Sequence, residues 1–320
     1  MRIARHAVAT DPGRRRRHNE DAYVADPPLF AVADGIGGAQ AGEVASKLAA
    51  GTLREGAAGE VEALIQEANR RVHRRSVEDP AVAGMGTTMT VAVFEGGILR
   101  FGHVGDSRAY RFRDGKLEQL TEDHSLVGEL IRSGNLEREE AETHPQRSVI
   151  TRAVGTDPDV DIDTFVMEPR DGDLFLICSD GLTDLVADTA IERIVGQKRN
   201  DLDGVVKALV SAANKNGGDD NITVVAFEFD DGSHDDVEAT AVITAADDAD
   251  DEDTLTEADG VPTVAAGTLI VSADELAAAY ESEQQVRPAR KPRRSGALLA
   301  LIVLLVFVAL VLLAVWSLYR

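Results

Sequence analysis

The chain has 320 residues, 44% of them hydrophobic, and a formal net charge of −23 at pH 7. That length admits one large domain or two small ones, and the apolar share is enough for a buried core. The acidity argues against a general nucleic-acid binder, whose footprint is basic, and a single cysteine, Cys178, excludes a disulfide framework within the chain.

In chain order, residues 3–9 read as a first strand closed by the turn Thr10-Asp11-Pro12-Gly13, and residues 29–33 as a short buried strand. The alanine-rich stretches 42–53 and 60–75 carry the spacing of amphipathic helices. Strand-like runs at 87–94 and 98–104 flank Glu95-Gly96-Gly97, and those at 107–113 and 116–120 flank Asp114-Gly115, the strongest short hairpin signal in the chain. Residues 124–145 are polar and read as a helical excursion or flap. A buried strand over 173–178 contains Cys178 as a small hydrophobe, helices are expected at 191–195 and 202–214, and residues 222–229 form a last strand. Hairpins with helix pairs between them predict an α+β domain in which two packed sheets are flanked by helices.

Beyond residue 230 the composition changes. Residues 231–286 contain many Asp and Glu but no Lys or Arg, and few large apolar side chains. Such a stretch buries too little surface to offset its ordering entropy, so a self-repelling, disordered linker is expected, with a short helix at 269–280. Thr240, Thr244, Thr254 and Thr256 in it are candidate phosphorylation sites. Residues 287–296 are a basic juxtamembrane segment with Arg287, Arg290, Lys291, Arg293 and Arg294. Residues 297–316 hold 20 residues without charge or proline, enough at ~1.5 Å per residue to span a ~30 Å hydrocarbon core. Trp316 and Tyr319 mark the far interface, and residues 317–320 form a short extracytoplasmic tail. The positive-inside rule then places residues 1–230 in the cytoplasm, on a single-pass anchor in the cell membrane. The span has no close small-xxx-small stripe of glycines, so helix pairing is not indicated and a monomeric catalytic domain is expected.

The chemistry lies in the acids. Asp21, Asp34, Asp106, Asp180 and Asp220 each stand at the end of an apolar run or beside a glycine turn. Carboxylates at strand ends converge in space, and converging carboxylates cannot all stay ionised unless cations neutralise them. An all-oxygen set of this kind suits magnesium or manganese. Asp114-Gly115 and Asp171-Gly172 sit among charged neighbours and need only be turns. Asp34-Gly35 and Asp180-Gly181 leave buried strands, where a carboxylate needs a strong partner. Gly35 has no side chain to keep a cation from its carbonyl.

Seven ordered motifs complete the pattern: Arg16-Arg17-His18-Asn19-Glu20-Asp21, Ala33-Asp34-Gly35-Ile36-Gly37-Gly38, Met85-Gly86-Thr87-Thr88, Gly102-His103-Val104-Gly105-Asp106-Ser107-Arg108-Ala109-Tyr110, Thr121-Glu122-Asp123-His124-Ser125, Ser179-Asp180-Gly181-Leu182-Thr183-Asp184 and Gly218-Asp219-Asp220-Asn221-Ile222-Thr223. Over residues 1–230 the sequence resembles the bacterial metal-dependent, type-2C serine/threonine protein phosphatases. The resemblance implies a four-layer α-β-β-α sandwich with two Mn2+ or Mg2+ ions at one end, and a third, weaker ion in bacterial members. It implies that Asp34 bridges both ions, that Asp180 and Asp220 bind one, and that Glu20 and the Gly35 carbonyl serve the other. Asp21 would hold a water beside them, with Asn221 next to Asp220 in the same supporting role; Asp106 would belong to the third ion, and Arg16 would grip the phosphate.

The expected reaction is hydrolysis of phosphoserine and phosphothreonine on proteins by a metal-activated water, with no phosphoenzyme. Its partners would be phosphorylated proteins, including membrane Ser/Thr kinases that it opposes. Two alternatives stand beside this: a phosphatase dedicated to one regulatory partner of the anti-sigma antagonist type, and an inactive phosphoprotein-binding membrane scaffold. Some family members carry a histidine after the Asp-Gly pair to protonate the leaving oxygen. Here the position is Ile36, so a water or another histidine such as His124 must do it. His124 is expected to bond a loop, and His103 to be a satisfied core group. Strand alternation would point Arg16 one way and Arg15 and Arg17 the other, leaving the latter two as solvated surface.

Overall fold

The computed structural model describes residues 1–37, 41–56, 60–137, 140, 144–232 and the backbone of 269–270. Two sheets form the centre. One has the order β1 (Arg2–Asp11), β12 (Ile222–Asp230), β11 (Leu174–Cys178), β7 (Arg108–Arg113), β8 (Lys116–Gln119). The other has the order β10 (Asp163–Met167), β6 (Ile98–Val104), β5 (Met89–Glu95), β3 (Leu29–Ile36), β2 (Asp21–Asp26), with β4 (Gly86–Thr87) added to β3. All these pairings are antiparallel.

Three separate apolar cores show why the layers number four. Between the sheets lies an aromatic core of Phe30, Phe101, Phe175, Phe227 and Phe229, in which Phe30 and Phe227 stack with ring centroids 4.1 Å apart. Outside the β3 sheet, Ala45, Ala49 and Leu53 of α1 (Ala41–Glu55) and Ile65, Ala68 and Val72 of α2 (Val61–Glu78) pack on Ala31, Met89 and Val91. Outside the β12 sheet, Ile191 and Val195 of α5 (Asp188–Lys198) and Val205, Val206 and Leu209 of α6 (Leu202–Lys215) pack on Leu176, Val224 and Ala226. Alternate residues along β3 and β12 thus enter different cores, so both strands are apolar on both faces and read as continuous hydrophobic runs.

Several expectations change. β2 begins at Asp21, directly after Glu20, and carries no alternation that betrays it, because Tyr23 and Ala25 pack on the inter-sheet core while Val24 packs on the helices. β10 was likewise missed: its burial is partial, at the edge beside β6. Among the described residues of the polar segment 124–145 stands a short helix, α3 (Leu126–Arg132), capped by the Ser125 hydroxyl accepting from the Gly128 N–H. Leu269–Ile270 (β13) pair in parallel with Val149–Ile150 (β9); the rest of the expected linker and of the helix expected at 269–280 lies outside the described residues. The candidate phosphorylated threonines, the juxtamembrane segment 287–296, the span 297–316 and the tail 317–320 lie outside the described residues. Among the described residues no helix is long and apolar enough to cross a membrane.

Candidate active site

Strand register gathers the acids at one end of the sandwich. Asp21 opens β2 directly opposite Asp34 near the end of β3. Two like charges in a cross-strand pair are destabilising unless a third charge lies between them. Asp180 begins α4 (Asp180–Thr183), two residues beyond the last β11 residue, Cys178, which pairs with Val224 of β12. Asp220 lies just before β12, and Asp106 follows β6.

Electrostatics show the convergence. Burial, then repulsion from Asp21, Asp180, Asp220 and Asp106, pushes the Asp34 carboxyl well above the usual carboxylate range. Burial, then Asp106, Asp184 and Asp220, does the same at Asp180. Asp21 is pushed up to about 6, by burial first. Asp106 is pushed up to about 7 by burial, then by Asp123 and Asp184. Glu20 rises too, mainly through burial. Asp21 and Asp106 are buried, while Glu20, Asp34, Asp180 and Asp220 keep partial exposure.

The chain binds this charge in place with backbone and hydroxyl contacts. The Asp34 N–H donates to Thr88 Oγ1 at 2.9 Å, and its carbonyl accepts from the Thr88 N–H at 2.8 Å and Thr87 Oγ1 at 2.7 Å. The Thr88 hydroxyl also meets Ser107 Oγ at 2.7 Å, tying the Asp34 strand to the turn that carries Asp106. Ser179 Oγ donates to Asp21 Oδ2 at 2.8 Å. Asn221 Oδ1 accepts from the Glu20 N–H at 2.7 Å while its Nδ2 donates to the carbonyls of Pro12 and His18, so one side chain anchors the whole loop before β2. Gly42 lets Glu20 and Gly35 meet: a Cβ there would stand 2.8 Å from both Glu20 Oε2 and the Gly35 carbonyl oxygen.

Three buried carboxylate oxygens, Asp21 Oδ1, Asp106 Oδ1 and Asp180 Oδ1, have no hydrogen-bond partner. Such oxygens are costly unless a cation takes them up. Raised carboxyls, orphaned oxygens and an all-oxygen donor set together fit hard divalent ions. Among the described residues no three acidic, imidazole or thiol side chains are arranged so that, as they stand, they could hold a metal ion. Asp180, Asp184, Asp219 and Asp220 line an open cleft of about 380 Å³.

Arg15, Arg16, Asp180, Asp184, Asp219 and Asp220 line that cleft together with residues 145–149 of the flap. Arg16 Nη2 donates to Asp220 Oδ2 at 2.8 Å, which places the predicted phosphate-gripping residue beside a predicted ligand. Arg15 pairs with Asp219 at 2.8 Å on the same wall. Arg15 and Arg17 are exposed and Arg16 half-buried, as expected, although β1 ends at Asp11 and the three lie in the following turn rather than in a strand.

His124 does not line the cleft and cannot donate a proton there. It is 2% exposed, and both ring nitrogens are engaged, with the Gly105 N–H and with Asp163. His103 is the satisfied core group expected: Nδ1 meets Thr90 Oγ1 at 2.9 Å and Nε2 the Glu122 carbonyl at 3.0 Å. Cys178 is buried and its thiol is pushed up to about 12, chiefly by burial, so it offers no nucleophile. The sequence reading left Thr87, Thr88, Ser179 and Asp184 without roles although they stood inside the quoted motifs. Their contribution is hydrogen bonding and cleft wall, which residue type alone does not announce.

An antiparallel four-layer sandwich with a carboxylate cleft at one end defines a metal-dependent phosphohydrolase. The profile of the family described as Protein phosphatase 2C matches residues 14–223, and the chain belongs to that family. It is 40% identical over 238 residues to the serine/threonine phosphatase stp of Listeria monocytogenes, covering 69% of this chain and 94% of that one. It is 35% identical over 317 residues to the serine/threonine protein phosphatase PstP of Mycobacterium tuberculosis, covering 96% of this chain and 59% of that one. The crystal structure of the M. tuberculosis phosphatase PstP/Ppp superposes with a TM-score of 0.66 at 38% identity, covering 71% of this chain and 98% of that one. A PstP catalytic domain in complex with two manganese ions gives a TM-score of 0.66 at 35% identity, with the same shares covered. The protein is a serine/threonine protein phosphatase of this type, dependent on manganese or magnesium.

Proposed function

We propose that this chain is a tail-anchored phosphatase that removes phosphoryl groups from phosphoserine and phosphothreonine of proteins at the cytoplasmic face of the cell membrane, where it opposes Ser/Thr kinases. The observation that carries the catalytic part is the convergence of Asp21, Asp106, Asp180 and Asp220 on Asp34, three of the five with orphaned buried oxygens, at the edge of a cleft lined by Asp180, Asp220 and Arg16. The uninterrupted apolar run at 297–316 behind a basic segment supports the anchor, and the domain layout follows: catalytic residues 1–230, linker 231–286, basic segment 287–296, span 297–316 and tail 317–320.

In this reading Asp34, Asp180, Asp220, Glu20 and the Gly35 carbonyl would hold two divalent cations, and Asp106 would help hold a third. When bound, the cations supply the Lewis-acid chemistry that turns water into a nucleophile and offsets charge on the phosphoryl group. Asp21, fixed by Ser179, would accept a hydrogen bond from the attacking water and orient it; Asn221 keeps Glu20 in register. Arg16 has five N–H donors in a planar fork, of which Nη2 is committed to Asp220. Its other donors fit two phosphoryl oxygens, a geometry a lysine does not reproduce. With Ile36 buried and His124 fully engaged, the leaving oxygen draws its proton from solvent water in the cleft.

The full-length protein should hydrolyse p-nitrophenyl phosphate and a phosphothreonyl peptide with Mn2+, and should not with EDTA. Asp34→Asn should abolish turnover without unfolding the protein; full turnover by that variant would refute the assignment. Full-length protein should sediment with membranes while a chain ending at residue 296 stays in the supernatant. Equal partitioning of the two would refute the anchor.

A further inference from the structure

His124 sits at the junction of three segments. Its main-chain N–H donates to the Gly105 carbonyl at 2.8 Å, and its ring Nδ1 accepts from the Gly105 N–H at 3.0 Å. Both polar groups of Gly105 therefore end on one residue. The His124 carbonyl accepts from the Thr151 N–H at 2.9 Å, and Ser125 bridges to Ile150, so the two ends of the flap close on the same point.

We propose that His124 is a positioning residue for cation binding: its Nδ1 holds the Gly105–Asp106 turn so that the Asp106 carboxylate faces its ion. The inference rests on the reading that Asp106 holds the third, weaker cation. Gly105 adopts φ +107°, a left-handed conformation, and a Cβ there would press on Thr88, so the turn follows one tight path. Asp106 itself is 8% exposed and its Oδ1 has no hydrogen-bond partner. A ligand oxygen without bonds of its own is aimed by its backbone. That backbone is held from one side by Thr88 on Ser107 and from the other by His124 on Gly105.

The ring has one tautomer suited to this task. An Nδ1 that accepts from an N–H leaves the proton on Nε2, which donates to Asp163 Oδ2 at 3.1 Å. Arg152 Nη1 donates to Asp163 Oδ1 at 2.6 Å and stands 3.1 Å from Nε2. Burial, then this guanidinium, lowers the His124 pKa and keeps the imidazole neutral. Asp163 therefore orients the histidine as outer carboxylates orient ligating histidines, one step further from the ion.

The two nitrogens can be separated by substitution. Asparagine presents an oxygen where Nδ1 stands; glutamine reaches toward the Nε2 position instead. Calorimetric titration of the full-length protein with Mn2+ alone should show two tighter ions and one weaker. His124→Gln should weaken the weaker ion at least ~10-fold and leave the tighter two in place, whereas His124→Asn should stay within about threefold of the parent. An unaltered weaker ion in His124→Gln, or equal loss in both variants, would overturn the proposal. Asp106→Asn separates the two readings. If it keeps the weaker ion, or if the parent protein shows none, the assignment of Asp106 is wrong and this inference goes with it. If it loses that ion while His124→Gln retains it, only the role of His124 fails. Should His124→Gln not fold, Asp163→Ala, at a half-exposed position, gives the same readout: several-fold weaker third-ion binding is expected, and unchanged binding overturns the proposal.

Discussion

Asp106→Asn should stabilise the metal-stripped protein, and its size follows from the site. Burial, then repulsion from Asp123 and Asp184, raises the Asp106 carboxyl from 3.8 to about 7, a shift of about three units. At 1.36 kcal/mol per unit this is ~4 kcal/mol of instability once the group must ionise. The sign follows from the raised value. The folded state holds the proton more tightly, so the penalty is absent below pH 3.8, grows as pH rises and is complete above about 7. Asparagine removes that penalty but leaves a buried amide that costs about 1–3 kcal/mol where it finds no partner. Urea unfolding in EDTA at pH 8 should therefore show a net gain of about 1–3 kcal/mol, and at pH 4 none. Saturating Mn2+ should cancel or reverse the gain, because the parent alone recruits the ion bound by Asp106. A variant less stable than the parent at pH 8 in EDTA would show that the carboxylate is comfortably solvated, and the reasoning about a cation-demanding site would be wrong.

Three further outcomes follow. Arg16→Ala should lower kcat/KM for a phosphopeptide by ~10–100-fold, and Arg16→Lys should recover little of it, since a point charge cannot fork two oxygens; full activity in the lysine variant would contradict the assigned grip. Thr88→Val, at a fully buried position, strips the acceptor from the Asp34 N–H and the partner from Ser107. Urea unfolding should register a loss of about 1–3 kcal/mol and Mn2+ titration a weaker affinity; unchanged values in both would refute its role. His103, lowered from 6.5 to about 4 chiefly by burial, contributes stability that is complete above pH 6.5 and lost as pH falls toward 4. The loss amounts to ~3 kcal/mol, so the stability difference between parent and His103→Gln should shift in favour of the variant by about that much between pH 7.5 and 4. A constant difference would mean that the imidazole charges freely in the fold.

The sequence carried the site better than its supports. Asp34 and Asp180 were visible because an acid at the end of an apolar strand is conspicuous, and order along the chain linked them to Asp106 and Asp220. Thr88 and Ser179 escaped because a hydroxyl that bonds a backbone N–H or a carboxylate has no periodicity to reveal it. β2 escaped for a related reason. It is apolar on both faces, toward the helices and toward the second sheet, so it lacks the alternation of a half-buried strand. The engagement of both His124 nitrogens depends on Gly105 and Asp163, which lie 19 and 39 residues away and meet it only in the fold.

The central claim is that acids distant in sequence share divalent ions in one cleft. Isothermal titration of the metal-stripped, full-length protein with Mn2+ tests it most directly, alongside Asp34→Asn. The parent should take up two tighter ions, besides the weaker third, with displacement of protons from the raised carboxyls, and Asp34→Asn should lose the tighter two as a pair. An isotherm without uptake, or a variant that binds two ions as the parent does, would contradict the account.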